Sequence, residues 1–180
     1  MKSELKGKRV VVLVENAYQD LEVWYPYYRL KEAGAHVQLV GTGSEKEYKG
    51  KNGYPAKVET TVDKLDVRKL DGVVVPGGWA PDFLRRYPEV LKLVKDIDQQ
   101  GGVVASICHG LWVLASARVL RGRTVTCFHA IKDDVIHAGA HYVDREVVVD
   151  KNMITSRMPD DLPAFCREII GALQKVTATV

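Results

Sequence analysis

The run Val103-Val104-Ala105-Ser106-Ile107-Cys108-His109-Gly110 decides how the rest of the chain is read. Val103–Ile107 is short and mostly apolar, the pattern of a strand buried on both faces. It stops at a small-x-Cys-x-Gly turn, and a helical pattern takes over from His109 to Ala117. A strand that turns sharply into a helix lifts the side chain at the turn above the carboxyl edge of its sheet. Gly110 lets neighbouring backbone come close, and the helix N-terminus beyond it favours a thiolate. Cys108 is therefore the candidate nucleophile. The alternative is a small thiol packed between strand and helix, as cysteines often are. His109 is the next residue, so its ring needs a partner to turn it towards the sulfur.

Outward from that junction the chain alternates between short β-branched runs and helical patterns. Arg9–Val14, His36–Val40 and Gly72–Val75 read as strands, joined later by 124–127 and 146–149. Helices are expected over 20–33, over 88–100 between Pro88 and the stop Gly101-Gly102, near 131–138, and over 159–174. In the last of these, Asp160 and Asp161 sit in the positive first turn. Such alternation predicts one α/β domain over 1–180, a three-layer sandwich whose mostly parallel sheet carries helices on both faces. The stretch 41–61, with Gly43, Gly50 and Gly53, breaks the rhythm and suggests a hairpin excursion at an edge.

Composition narrows the function. With 26 basic and 23 acidic residues the net charge of +3 is too balanced to imply nucleic acid. Lys46, Lys49, Lys51 and Lys57 cluster, but Glu45, Glu47 and Glu59 lie among them, so a solvated turn explains them best. The charged start of the chain has no signal-peptide core, and no apolar run approaches the ~20 residues that span a bilayer. Three widely spaced cysteines without a Cys-x-x-Cys pair argue against a disulfide framework and a zinc site. The expectation is a cytoplasmic protein with no metal and no cofactor.

Two further strand ends carry candidate residues. After the first strand, Glu15-Asn16-Ala17-Tyr18-Gln19-Asp20-Leu21-Glu22 lacks the glycine spacing of a dinucleotide site but supplies carboxylates. Glu22 could face the thiol, or could simply be a first-turn acid. After the third strand, Val75-Pro76-Gly77-Gly78-Trp79-Ala80-Pro81-Asp82 offers backbone N–H groups for a developing oxyanion, or only a tight turn. Cys127 and Cys166 read as core thiols. His36, His137 and His141 have no ligand spacing, and Arg157 reads as a carbonyl cap near the site.

Taken together, these segments resemble the ThiJ/PfpI superfamily, a branch of the flavodoxin-like, class I glutamine amidotransferase-like fold. The nearer likeness is to its PfpI-type intracellular proteases and deglycases. The resemblance runs through Leu-Glu-Val-Trp-Tyr-Pro-Tyr-Tyr-Arg-Leu-Lys-Glu-Ala-Gly (21–34), Val-Val-Pro-Gly-Gly (74–78), Ala-Ser-Ile-Cys-His-Gly (105–110), Leu-Arg-Gly-Arg (120–123), Ile-Lys-Asp-Asp (131–134), Ala-Gly (138–139) and Ser-Arg-Met-Pro-Asp-Asp-Leu (156–162). It implies Cys108 as nucleophile, Glu22 as the carboxyl group bonded to its sulfur, and the N–H groups of Gly78 and His109 as an oxyanion pocket, with Gly77 beside them. It also implies that an acid from a neighbouring subunit orients His109. The matching position is Asp82, so a homodimer or higher oligomer, up to a hexamer, would place the site near a subunit interface.

The chain departs from the family pattern at several places. Asp82 stands where a glutamate is usual, Phe128 where a pocket tyrosine is common, and His129 where proline is frequent. Gln19 and Ala17 replace acids often found in the first loop, and Trp79 adds bulk at the mouth. The resemblance implies chemistry on a small aldehyde such as methylglyoxal, peptide hydrolysis, or a redox-sensing or chaperone role. The shortened Asp82 and bulky Trp79 favour the first, with Trp79, Phe128 and His129 lining the substrate.

Overall fold

A computed structural model describes residues 4–176. Seven strands form its main sheet: β1 (Arg9–Leu13), β2 (His36–Gly41), β5 (Thr60–Thr61), β6 (Gly72–Val75), β7 (Val103–Ile107), β10 (Val147–Asp150) and β11 (Met153–Ser156). Their spatial order is β10-β11-β7-β6-β1-β2-β5, and every pairing is parallel except that of β10 with β11. The central strands are apolar on both faces because both faces are covered; β6 and β7 are buried along their whole lengths.

Six helices accompany the sheet: α1 (Asp20–Glu32), α2 (Ala80–Leu84), α3 (Pro88–Gln99), α4 (Leu111–Ser116), α5 (Lys132–His137) and α6 (Leu162–Lys175). From β1 the chain passes through α1 to β2 on one side, and from β6 through α3 to β7 on the other. Right-handed crossovers that run in opposite directions put their helices on opposite faces. So α1 packs with α6 on one face while α3 packs with α4 on the other. The order reverses between β1 and β6, which opens a crevice at their carboxyl ends. This is the flavodoxin-like α/β architecture expected from the alternation.

Two expectations need correction, and a third, the hairpin excursion at an edge, is met. The strand β11 was not anticipated. Its four residues, Met153-Ile154-Thr155-Ser156, are too few and too mixed to stand out, yet all are buried between β7 and β10. The strand expected at 124–127 shrinks to β8 (Thr124–Val125), which leaves the main sheet and pairs with β9 (His141–Tyr142). The stretch 41–61 holds a separate hairpin, β3 (Glu47–Lys49) with β4 (Pro55–Lys57), and then rejoins the main sheet as β5. Among the described residues no helix is long and apolar enough to cross a membrane.

Candidate active site

Three strand ends meet at the crevice. From β7 the chain enters a tight turn at Cys108–Gly110, and Cys108 takes φ +61°, a left-handed conformation that non-glycine residues adopt at a cost. That turn stands the side chain up from the sheet, and the strain is held by the buried strand on one side and α4 on the other. The backbone is tied down as well, since the Phe128 N–H donates to the Cys108 carbonyl at 3.3 Å. Cys108 itself is only 7% exposed.

From the β1 side comes Glu22, in the first turn of α1. Gln19 caps this helix, its side-chain oxygen accepting from the N–H groups of Leu21 (2.7 Å) and Glu22 (3.2 Å). Pro26 follows one turn later and cannot donate to the Glu22 carbonyl, so this end of the helix carries less internal bonding than usual. The Glu22 side chain is wholly buried, and its Oε2 accepts the Gly77 N–H at 2.7 Å. From β6 comes Gly77, wedged between the carboxyl and the thiol. A Cβ there would lie 2.6 Å from Glu22 Oε2, 2.6 Å from Cys108 Cβ and 3.0 Å from its sulfur. Only glycine lets acid and thiol stand face to face.

The electrostatics follow from that closeness. Burial raises the Glu22 carboxyl to about 7, against the pull of the Gly77 N–H, the thiol and Lys51. Burial, with the Glu22 charge next, pushes the Cys108 thiol up to about 12, while the N–H groups of His109 and Gly78 work the other way by donating to the sulfur. Near neutrality the thiol therefore keeps its proton while the carboxyl is about half protonated. A thiolate forms when Glu22 takes that proton, and the two donors then stabilise the anion.

His109 does reach the sulfur: its Nδ1 lies 3.3 Å from Sγ. What orients it inside this chain is packing. The ring stacks on Phe128 at 5.1 Å and meets Trp112 edge-on at 5.0 Å, with Trp79 at 6.0 Å. Burial lowers its basicity, Lys51 and His129 add to that effect, and Asp134 opposes it. Trp112 holds Asp134 through an indole N–H at 2.7 Å. Asp82 sits half-buried on α2, its carboxylate engaged by Arg86 one turn on. It orients nothing within one chain, and a role towards His109 would have to be played against a second copy with Arg86 released. Trp79 is 59% exposed at the mouth, and His129 lies exposed beyond Phe128, 4.4 Å ring to ring.

Elsewhere the reading of Arg157 as a carbonyl cap is replaced by carboxylate pairing, since it donates to Asp161 and Asp144. Cys127 and Cys166 are buried, and His36, His137 and His141 are exposed. Residues the sequence did not single out for the site are Lys51, Trp112 and Asp134. Lys51 belongs to the cluster read as a solvated turn, and nothing in its local pattern tells that the turn folds against the crevice.

Residues 8–172 match the DJ-1/PfpI family. A Pyrococcus horikoshii protein named a deglycase is 43% identical over 166 residues, covering 92% of this chain and 99% of its own. A Bacillus subtilis protein named as a candidate cysteine protease is 37% identical over 168 residues, covering 93% and 99%. In a solved two-domain protein from Anabaena variabilis, described as containing DJ-1/ThiJ/PfpI-like and ferritin-like domains, 41% identity accompanies a TM-score of 0.90 over 92% of this chain and 48% of that one. The strand–elbow–helix at Cys108, the acid facing it and the whole order of the sheet thus belong together: this chain is a member of the DJ-1/PfpI family.

Proposed function

We propose that the protein is a cysteine-dependent enzyme acting on small reactive aldehydes, of which methylglyoxal is the test case. The observation that carries this reading is Glu22 facing a strained, 7%-exposed Cys108 across Gly77. A thiol so enclosed admits a compact electrophile and excludes a peptide laid across it. Relatives named as deglycases support an enzymatic role.

The chemistry needs no outside oxidant. Glu22 takes the thiol proton as sulfur attacks the aldehyde carbon; the carbonyl electron pair moves to oxygen and is received by the Gly78 and His109 N–H groups. A proton then moves from that carbon to its neighbour, with His109 and Glu22 as the groups in reach. The aldehyde carbon is thereby oxidised to a thioester and the ketone carbon reduced to an alcohol. Water cleaves the thioester, giving lactate and the free thiol.

The test is lactate formation from methylglyoxal by the wild type, Cys108→Ser and Glu22→Gln, beside release of peptides from casein. Lactate lost in both variants supports the reading. Full turnover in Cys108→Ser sinks it, and casein cleavage that depends on Cys108 without any lactate makes the protein a peptidase instead.

A further inference from the structure

The turn between β3 and β4 is mounted on the same helix start that carries Glu22. Asp20, first residue of α1, accepts from the backbone N–H groups of Asn52 (3.1 Å) and Tyr54 (3.3 Å) and from the Asn52 side chain (2.9 Å). The fit is close: a Cβ on Gly50 would fall 2.3 Å from an Asp20 oxygen. The Lys51 N–H donates to the Tyr18 carbonyl at 2.8 Å, and Tyr18 forms bridges to both Gly50 and Gly78. Ala17 completes the link, donating to the Lys49 carbonyl at 2.7 Å and accepting from the Trp79 N–H at 2.8 Å. The hairpin turn and the Gly77-Gly78 turn are therefore fixed to one another through a single loop.

This mounting places Lys51 at the rim of the thiol crevice. Its charge is felt both by Glu22 and by His109, the two groups beside Cys108. Yet the side chain is exposed, and among the described residues its ammonium has no hydrogen-bond or ion-pair partner. The groups its charge reaches are Glu22 and His109, and Asp134 and His129 act on the same histidine. None of the nearby acids is spent on Lys51: Asp20 holds Asn52 and Tyr54, and Asp134 accepts from Trp112. An unpaired cation at the rim of a nucleophile's crevice draws negative charge to it.

We propose that Lys51 is a specificity residue that anchors an anionic group of the substrate, so the site prefers carbonyl compounds carrying a carboxylate over neutral ones. The proposal rests on the reading of Cys108 as the nucleophile of an aldehyde enzyme. One arm of its test is independent of turnover. Cys108 is alkylated with iodoacetate, which is anionic, and with iodoacetamide, which is neutral, and modification is followed by mass spectrometry. The ratio of the two rates cancels changes in thiolate fraction. Lys51→Met should lower the iodoacetate-to-iodoacetamide ratio about three- to tenfold at low ionic strength, and added salt should lower the wild-type ratio. Lys51→Arg should keep the ratio near that of the wild type. Equal ratios in wild type and Lys51→Met overturn the anchor.

The second arm compares 4,5-dioxopentanoate, a 2-oxoaldehyde bearing a carboxylate, with its neutral methyl ester. With water the acid would give 2-hydroxyglutarate by the same internal transfer. Its preference in kcat/KM over the ester should fall toward unity in Lys51→Met and survive in Lys51→Arg. An unchanged preference overturns the substrate assignment. If neither compound nor methylglyoxal is turned over while the alkylation ratio behaves as stated, the aldehyde reading fails and the anion anchor stands.

Discussion

Cys108 and Cys166 are alike in the property most often used to find a reactive thiol, and they differ in everything else. Burial pushes both up to about 12, and Cys127 with them. Cys166 lies in the middle of α6, buried among apolar side chains, with a distant arginine as its one charged influence. Cys108 stands on a left-handed residue, with an acid across a glycine, two backbone donors at its sulfur and an imidazole at 3.3 Å. The affinity for the proton therefore does not set the proposed nucleophile apart here. The mark is a neighbouring group able to receive that proton, together with donors waiting for the charge that remains.

That contrast can be broken most decisively by exchanging the thiols' roles. Cys108→Ala should reduce lactate formation at least about 10³-fold, whereas Cys166→Ala and Cys127→Ala should stay within about twofold. A comparable loss in either core variant would show that the surroundings of Cys108 confer nothing special. Next in size is Glu22→Gln, which keeps the shape and the bond from Gly77 but cannot take the proton. It should lower kcat/KM about 10²-fold at pH 7.5.

The same substitution should act on stability with the opposite sign. Glu22 holds its proton more tightly in the folded state, rising from an ordinary 4.5 to about 7. Its burial is therefore harmless below pH 4.5, and stability is lost as pH climbs to about 7. Urea unfolding should find Glu22→Gln more stable than wild type by up to about 3 kcal/mol at pH 8, with the difference vanishing near pH 4.5. A variant less stable than wild type at pH 8 would mean that the carboxylate is better solvated than its position shows.

A smaller effect sharpens the role of the spacer. Gly77→Ala must displace either the acid or the thiol. It should destabilise by about 1–3 kcal/mol and lower kcat, while Gly171→Ala, inside α6 with nothing within 4 Å, should leave kcat unchanged and stabilise by about 0.5–1 kcal/mol.

How much of this could be read from the chain alone depended on whether the signal was local. The elbow was legible because strand, turn and helix are consecutive, and Val103–Gly110 carries all three. Glu22 and the Gly77-Gly78 turn were legible as strand-end residues of the same sheet. The strand β11 was not, because four mixed residues become a strand only when β7 and β10 are in place to flank them. Lys51 was hidden for the same reason at longer range. Its turn is solvated, as its neighbours suggest, and only the tie from Asp20 and Tyr18 brings it to the crevice. His109 is a similar case: Trp79, Trp112 and Phe128 lie far apart in the chain and meet around the imidazole only in the folded molecule.

The two ends of the main sheet bear on how such chains can meet. At one end β5 offers just Thr60 and Thr61 for pairing. At the other, side chains occupy β10: the Asp150 carbonyl accepts from Arg123, and its carboxylate accepts from the Thr124 N–H. Neither border gives an incoming strand a long run of open backbone to zip onto. The fold thus guards itself against growing sideways into a ribbon, and any pairing of copies would have to run through helices and loops, where the crevice of Cys108 also opens.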